Sequence, residues 1–194
     1  MSMRVYLAGP DVFLSEAHVR GARMKAVCSA HGLVGVFPLD PIAVPGGPLM
    51  SEWQRIALSN EAHIRSCDML IANLTPFRGA SADPGTVYEL GFMRALGRPV
   101  FGWSASGLTL KDRTSPDGMQ VEDFGLAENL MIAGAIAESG GVFLAETLAE
   151  PWSDLSLFER CVAHVAGGVS PAKAAPAPPR SRTRPAARRA GTGG

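Results

Sequence analysis

Short apolar runs alternate with segments of helical periodicity, and this alternation limits the chain to few folds. Four runs have the length and composition of strands: residues 3–8, 33–37, 69–74 and 99–103. Helical patterns separate them at residues 15–31, 51–66 and 84–96. Strands that alternate with helices form a parallel sheet covered on both faces and joined by right-handed crossovers. The sequence therefore predicts a single α/β domain.

The second half of the chain continues the pattern less regularly. Residues 104–122 are polar and rich in turn residues, and a connection of this length is typical of a lid or binding loop, which we expect over the cleft. A helix at 124–139, a weak strand at 142–145 and a helix at 152–165 complete the domain. The predicted fold is a flavodoxin-like or Rossmann-like parallel sheet of about five strands with helices on both faces.

Charge divides the chain into a body and a tail. From Ser170 onward six cationic residues and no acidic one occur, which leaves twelve cationic and eighteen acidic residues in the remainder. The tail is rich in Ala, Pro and Arg and lacks the periodicity needed to bury apolar surface. We predict a folded domain over residues 1–168 and a disordered basic tail over 169–194. Weak contact of the tail with nucleic acid is possible by charge, but a solvated tail without a specific partner is the expectation.

Several classes of function lack their signatures. Three widely spaced cysteines and four unpaired histidines indicate neither a disulfide framework nor a metal site, and no cofactor is expected. The first strand is followed by Gly9-Pro10 without a glycine-rich or Gly-Lys-Ser/Thr phosphate loop, and no Gly-x-Ser-x-Gly elbow is present. No apolar run approaches membrane-spanning length and the amino end lacks a leader pattern, so a cytoplasmic location without membrane contact is expected.

Glu89 is the most conspicuous charged residue. Asp83 has the properties of an N-cap, Pro84 suits the first helical position, and Gly97 supplies a left-handed stop. Glu89 lies in the second turn of this helix among apolar residues, where a carboxylate is costly unless it faces a cleft or has partners. A solvated rim position is the plain alternative. Because the preceding strand and loop form a strand–loop–helix unit, whose loop is where open parallel sheets bind ligands, the cleft is favoured.

Five blocks of sequence resemble the nucleoside 2-deoxyribosyltransferases. They are Tyr6 to Phe13, Phe37 to Asp40, Asn73 to Gly79, Asp83 to Gly91 and Val121 to Leu126. The resemblance covers roughly residues 3–165. It implies a cofactor-free enzyme of flavodoxin-like fold that binds nucleosides and nucleobases and assembles as a homo-oligomer, either a dimer or a multimer of dimers. Such an enzyme transfers 2-deoxyribose between nucleobases in nucleotide salvage.

The same resemblance implies roles for individual residues. Glu89 would be the nucleophile that forms a covalent glycosyl intermediate, Tyr6 would orient it, and Asp83 would position the substrate and handle a proton of the base. The implied substrate-binding residues are Gly9, Phe13, Asn60, Gln120, Asn129 and Met131. Asn60 stands where some relatives carry an aspartate, while Gln120, Asn129 and Met131 would reach a neighbouring subunit's site. Structural alternatives exist for Asp83 as an N-cap, for Asn60 as a solvated helix residue and for Met131 as a packing residue.

Two other functions are open from the sequence. The first is an N-glycosidase that passes the sugar of a nucleoside or its 5′-monophosphate from Glu89 to water. Asp11 argues against the monophosphate, because it would place a negative charge in the turn after the first strand, although Arg78 offers a cation. The second is a noncatalytic nucleotide-binding module. Selectivity for the base and for the 2′ position cannot be derived from spacing.

Overall fold

Five parallel strands form one sheet in the order β2-β1-β3-β4-β5. The structure is a computed structural model and describes residues 2–44 and 49–168. The strands are β1 (Arg4–Ala8), β2 (Val34–Val36), β3 (Met69–Asn73), β4 (Val100–Ser104) and β5 (Phe143–Ala145). Every neighbouring pair is parallel, with Tyr6 opposite Val36 on one side and Leu70 on the other. The predicted flavodoxin-like sheet of about five strands is therefore confirmed.

Helices cover both faces of the sheet. They are α1 (Ala17–Ala30), α2 (Glu52–Ser66), α3 (Pro84–Ala95), α4 (Leu110–Arg113), α5 (Leu130–Glu138) and α6 (Ser156–Gly168), with a 3-10 turn at Pro10–Phe13. One core layer joins α1 and α6 to the sheet and includes Val5 and Leu7. The other joins α2, α3 and α5 and includes Tyr6 and Ala8. Alternate residues of β1 thus enter opposite layers, as the two-residue period of a strand requires.

The central strands lack polar alternation because they are buried on both sides. Every residue of β3 and β4 is buried, which is typical of strands inside a parallel sheet. Among the described residues, no helix is long and apolar enough to cross a membrane.

Some predicted boundaries were wrong. The helix predicted from residue 124 begins at Leu130, because Gly125 adopts a left-handed φ of +68° and Asn129 caps the helix by accepting from the Met131 N–H at 2.9 Å. The helix predicted from residue 152 begins at Ser156. The region predicted as a lid contains α4 and an exposed stretch at 115–120. The predicted disordered tail lies outside the described residues.

The connections of β1 and β3 open a crevice between them. β1 leads to α1 on one face, whereas β3 leads to α3 on the other face. Ligands in open α/β sheets bind at such a switch point, beyond the carboxyl ends of the strands. The loop that ends at Asp83 belongs to this edge of the molecule, while Tyr6 lies in the middle of β1 and faces the layer of α2 and α3.

Candidate active site

Helix α3 begins after the N-cap that its sequence predicts. The Asp83 carboxylate accepts from the Thr86 N–H at 2.9 Å and from the Thr86 hydroxyl at 3.0 Å. Gly97 follows the helix with a φ of +73°. On this helix Glu89 is buried, and its side chain is only 8% exposed. This burial excludes the solvated rim position that the sequence left open as an alternative.

Two neutral donors bind one oxygen of Glu89. The Tyr6 hydroxyl donates to Oε1 at 2.7 Å, and the Asn60 side-chain amide donates to the same atom at 3.1 Å. Oε2 of Glu89 accepts no hydrogen bond from the described residues. Strand β1, helix α2 and helix α3 therefore meet at a single carboxylate, which is held on one side and free on the other.

The environment of Glu89 favours its protonated form more than water does. Burial raises the pKa of Glu89 to about 7, and the charge of Asp83 adds to the rise, while the hydrogen bonds from Tyr6 and Asn60 oppose it. Burial, with the neighbouring Glu89 charge, raises the pKa of Tyr6, so its hydroxyl keeps its proton and acts as a donor. No cation of the described residues lies within salt-bridge distance of Glu89.

A cavity of about 380 Å³ opens on the Asn60 side of this carboxylate. Its walls come from the 3-10 turn, from residues 38–42 and from the exposed first half of α2. Arg55 contributes a cation, whereas Asp40 and Glu52 contribute carboxylates. The volume lies within the range of small-molecule sites.

Gly9 and Phe13 lie near this edge but contact other groups. A Cβ at Gly9 would come within 2.7 Å of the Asn73 Cβ and 2.8 Å of the Asp11 Oδ2, so glycine permits close approach of β1 to β3. Phe13 is 55% exposed and stacks on Phe77 with ring centroids 5.3 Å apart. Phe13 lines a second cavity, which is separate from the one beside Asn60.

Gln120, Asn129 and Met131 form no hydrogen bond with Glu89 within this chain. Gln120 lies in the exposed stretch of residues 115–120, and Met131 is 72% exposed. Asn129 caps α5 and donates to the Glu122 carboxylate at 2.7 Å. Packing of Met131 in the core is therefore excluded for the single chain.

Asp11 does not place a charge in the cleft, contrary to the sequence-based argument against a phosphate. It is 1% exposed, and its two oxygens bind Arg20 Nε at 2.8 Å and Asn73 Nδ2 at 2.8 Å. The guanidinium neutralises the carboxylate inside the protein. This triad could not be predicted from the sequence, because Asn73 is 62 residues from Asp11 and no local pattern joins them.

Glu128 is fully buried, and its structural role likewise could not be predicted from the sequence. It accepts from the Ser81 hydroxyl at 2.5 Å, from the Ala82 N–H at 3.0 Å and from Arg113 at 3.4 Å. Arg113 in turn donates to the Ala80 carbonyl at 2.9 Å. These contacts fasten the loop before Asp83 to the start of α5 and to α4. A glutamate next to a good helix cap carries no sequence signal for such a role.

The comparisons with known proteins agree with this fold and with the resemblance of the sequence. The model of the nucleoside 2-deoxyribosyltransferase family matches residues 5–131. The solved structure of a 2-desoxiribosyltransferase from Leishmania mexicana is 31% identical, has a TM-score of 0.61, and aligns over 84% of this chain and 98% of its own. The chain belongs to the nucleoside 2-deoxyribosyltransferase family.

One further relative and one further solved structure extend the comparison. An uncharacterized protein of Schizosaccharomyces pombe is 32% identical over 168 residues, which cover 71% of this chain and 78% of that protein. A conserved protein from Enterococcus faecalis is 19% identical, with a TM-score of 0.54 over 85% of this chain and 99% of its own, and it supports the fold alone.

Proposed function

We propose that this protein transfers the 2-deoxyribosyl group of a 2′-deoxynucleoside between nucleobases, with Glu89 as the nucleophile. The observation that carries the proposal is the free Oε2 of a buried carboxylate whose Oε1 is fixed by Tyr6 and Asn60. Membership of the family supports the reaction class. A carboxylate of this kind is suited to attack at an anomeric carbon.

The proposed reaction consists of two displacements. As the bond from C1′ to the base nitrogen breaks, its electron pair leaves with the base and positive charge grows on the sugar. Oε2 of Glu89 bonds to C1′ from the opposite face. A second base then attacks C1′, and the electron pair returns to Oε2. The two inversions give net retention of configuration.

Burial strengthens the interaction of Glu89 with the developing charge. With little water near it, an ionised carboxylate stabilises an oxocarbenium-like sugar more than it would in solution. Burial also raises the pKa of Glu89 to about 7, so the share of its ionised, reactive form grows as the pH rises through neutrality. Tyr6 and Asn60 favour that form because both donate to it.

Asp83 is proposed to handle the proton of the base. Its capping contacts with Thr86 occupy Oδ2, and no described residue donates to Oδ1. That oxygen is available to a substrate, while the cap fixes the position of the carboxylate. Gln120, Asn129 and Met131 are proposed to act across a subunit boundary, because none of them forms a hydrogen bond with Glu89 within one chain.

The test uses deoxyinosine and free adenine, with products separated by chromatography. Deoxyadenosine shows transfer, whereas free base and deoxyribose show hydrolysis. Binding without either product would support a noncatalytic module and contradict the proposal. Glu89→Gln and Glu89→Ala are expected to abolish transfer, and Glu138→Gln, an exposed carboxylate on α5, serves as the matched control with normal turnover. Comparable turnover in Glu89→Ala would remove Glu89 as the nucleophile.

A further inference from the structure

A second cavity of about 370 Å³ is lined by the 3-10 turn, by the loop after β3 and by Trp152, and it shares no lining residue with the cavity beside Asn60. Aromatic rings from three segments form its wall. Phe13 and Phe77 stack with an interplanar angle of 9°, and Trp152 meets Phe77 edge-on at 6.1 Å. Its size falls within the range of small-molecule sites, and a wall of rings suits a planar ligand.

Arg78 supplies a cation to this aromatic cavity. Its guanidinium carbon lies 5.1 Å from the centroid of Phe13 and 4.7 Å from that of Phe77. It forms no salt bridge to any residue that the structure describes. A guanidinium stacked on rings keeps its in-plane N–H groups for an anion, and its fork matches phosphate.

The backbone of Arg78 is strained. Its φ of +55° is the single positive value at a non-glycine position among the described residues. Such a conformation is unfavourable for a residue with a Cβ. Strained positions of this kind cluster at ligand sites, where the side chain is held in a required place. The loop is held by a hydrogen bond from the Phe77 N–H to the Ser81 carbonyl at 3.1 Å.

Charges around the cavity favour an anion. Arg20 and Arg23 approach the Ser153 carbonyl, next to Trp152, at 3.2 and 3.4 Å. Of the nearby carboxylates, Asp11 is paired with Arg20, and Asp154 accepts from the Ser156 N–H at 2.7 Å. Because Asp11 and Arg20 neutralise each other, Arg78 is the charged side chain among the described residues that line the cavity, and none of those lining residues is acidic.

We propose that this aromatic cavity binds a nucleoside 5′-monophosphate, with the phosphate on Arg78 and the base against the rings of Phe13 and Trp152. Base–aromatic stacking and a bidentate arginine contact to phosphate are the two interactions that the cavity offers. The site shares the 3-10 turn with the proposed transfer site, because Val12 lines one cavity and Phe13 the other. It does not depend on the reactivity of Glu89.

The experiment is isothermal titration of the full chain with 2′-deoxyadenosine 5′-monophosphate, with 2′-deoxyadenosine and with inorganic phosphate. At pH 7.5, where the phosphate is mostly dianionic, the monophosphate is expected to bind about tenfold tighter than the nucleoside or phosphate alone. Equal affinities of monophosphate and nucleoside would overturn the proposal. Tight binding of phosphate alone would overturn the role of the aromatic wall.

Arg78→Gly is the most informative variant, because glycine accepts the left-handed φ and removes the guanidinium without adding strain. It should abolish the preference for the monophosphate, while Arg78→Lys should retain part of it. Arg160→Ala, which loses an exposed salt bridge to Glu146, is the control and should keep the preference. Loss of the preference in Arg55→Ala but not in Arg78→Gly would place the phosphate in the Asn60 cavity and overturn the proposal.

Glu89→Gln separates this inference from the proposed reaction. The variant should retain the preference for the monophosphate even though transfer is lost. If wild-type protein binds the monophosphate through Arg78 but produces neither transfer nor hydrolysis, the proposed function fails and the binding site stands. If transfer occurs but Arg78→Gly binds both ligands as the parent does, the binding site fails alone.

Discussion

Glu89 and Asp11 are both buried carboxylates near the carboxyl edge of the sheet, but their surroundings differ. Each oxygen of Asp11 has its own donor, and one of those donors is the guanidinium of Arg20. Both donors of Glu89 are neutral and bind the same oxygen. Asp11 is therefore fully engaged by the protein itself, whereas Glu89 retains an oxygen and a charge without a protein partner. The first arrangement holds structure together, and the second is available for a reaction.

The largest effect is expected at Glu89, where function and stability should change in opposite directions. Glu89→Gln should reduce transfer by about 10³-fold or more, since the amide is a poor nucleophile. Because the pKa of Glu89 is raised from 4.5 to about 7, the folded state holds a proton that the unfolded chain releases between those values. The free energy of unfolding of the parent therefore falls as pH rises through this window.

Replacement by Gln removes that loss, so the variant should exceed the parent in stability by about 3 kcal/mol at pH 8 and by little near pH 4.5. Thermal unfolding followed by circular dichroism at the two pH values measures the difference. An advantage that is the same at both values would contradict a raised pKa for Glu89. A variant that is less stable at pH 8 would show that the carboxylate is engaged as fully as Asp11.

Arg20→Met tests the other side of the comparison. It leaves the Asp11 charge buried without its cation, and the expected cost is about 3–5 kcal/mol in urea unfolding. Combination with Asp11→Asn should recover part of that loss, because the unpaired charge is removed. Arg160→Met, which breaks an exposed pair, should cost less than about 1 kcal/mol. Similar losses for the two single variants would mean that the buried pair of Asp11 and Arg20 stabilises the fold no more than an exposed ion pair does.

Tyr6→Phe should move Glu89 further from its reactive form. The hydroxyl lowers the pKa of Glu89, so its removal should shift the acid limb of the pH–rate profile to higher pH. Activity at pH 7 is expected to fall about tenfold, consistent with one hydrogen bond to a charged group, and to recover partly above pH 8. Tyr88→Phe is the matched control, because that exposed hydroxyl binds Glu61 and should leave the profile unchanged.

Variants of Asp83 are expected to have the smallest effect on stability. They distinguish a role in helix capping from a role in proton transfer. Asp83→Ala removes the acceptor for Thr86 and should cost about 1 kcal/mol, whereas Asp83→Asn keeps a good cap. If Asp83 handles the proton of the base, Asp83→Asn should lose turnover with little loss in thermal stability. Normal turnover in Asp83→Asn would leave only the structural role.

Much of the fold was predictable because it depends on local patterns. The apolar runs of β1, β3 and β4, the cap at Asp83 and the stop at Gly97 each act within a few residues. The predicted start of α5 was wrong because the left-handed φ of Gly125 interrupts the helix, and the apolar pattern around this glycine does not reveal that conformation. The family resemblance named Tyr6, Asn60 and Glu89, which the structure brings together.

Non-local electrostatics could not be read from the sequence. Asp11 has an ordinary position in a turn, and its hydrogen bonds depend on how α1 and β3 pack against that turn. Glu128 likewise receives its partners from residues 46 and 47 positions away. Such pairings arise from tertiary packing, and local spacing does not encode them.

The bonds to Oε1 of Glu89 also make the site a reporter of folding. They join residues that are 83 and 29 positions apart, so β1, α2 and α3 must all be docked before the carboxylate is held. A chain with two of these three elements docked would have native secondary structure but would lack one or both of the hydrogen bonds to Glu89. Recovery of the proposed transfer activity after dilution from denaturant should therefore follow the docking of the last element. If helices form before that docking step, activity should return later than the circular dichroism signal of the helices.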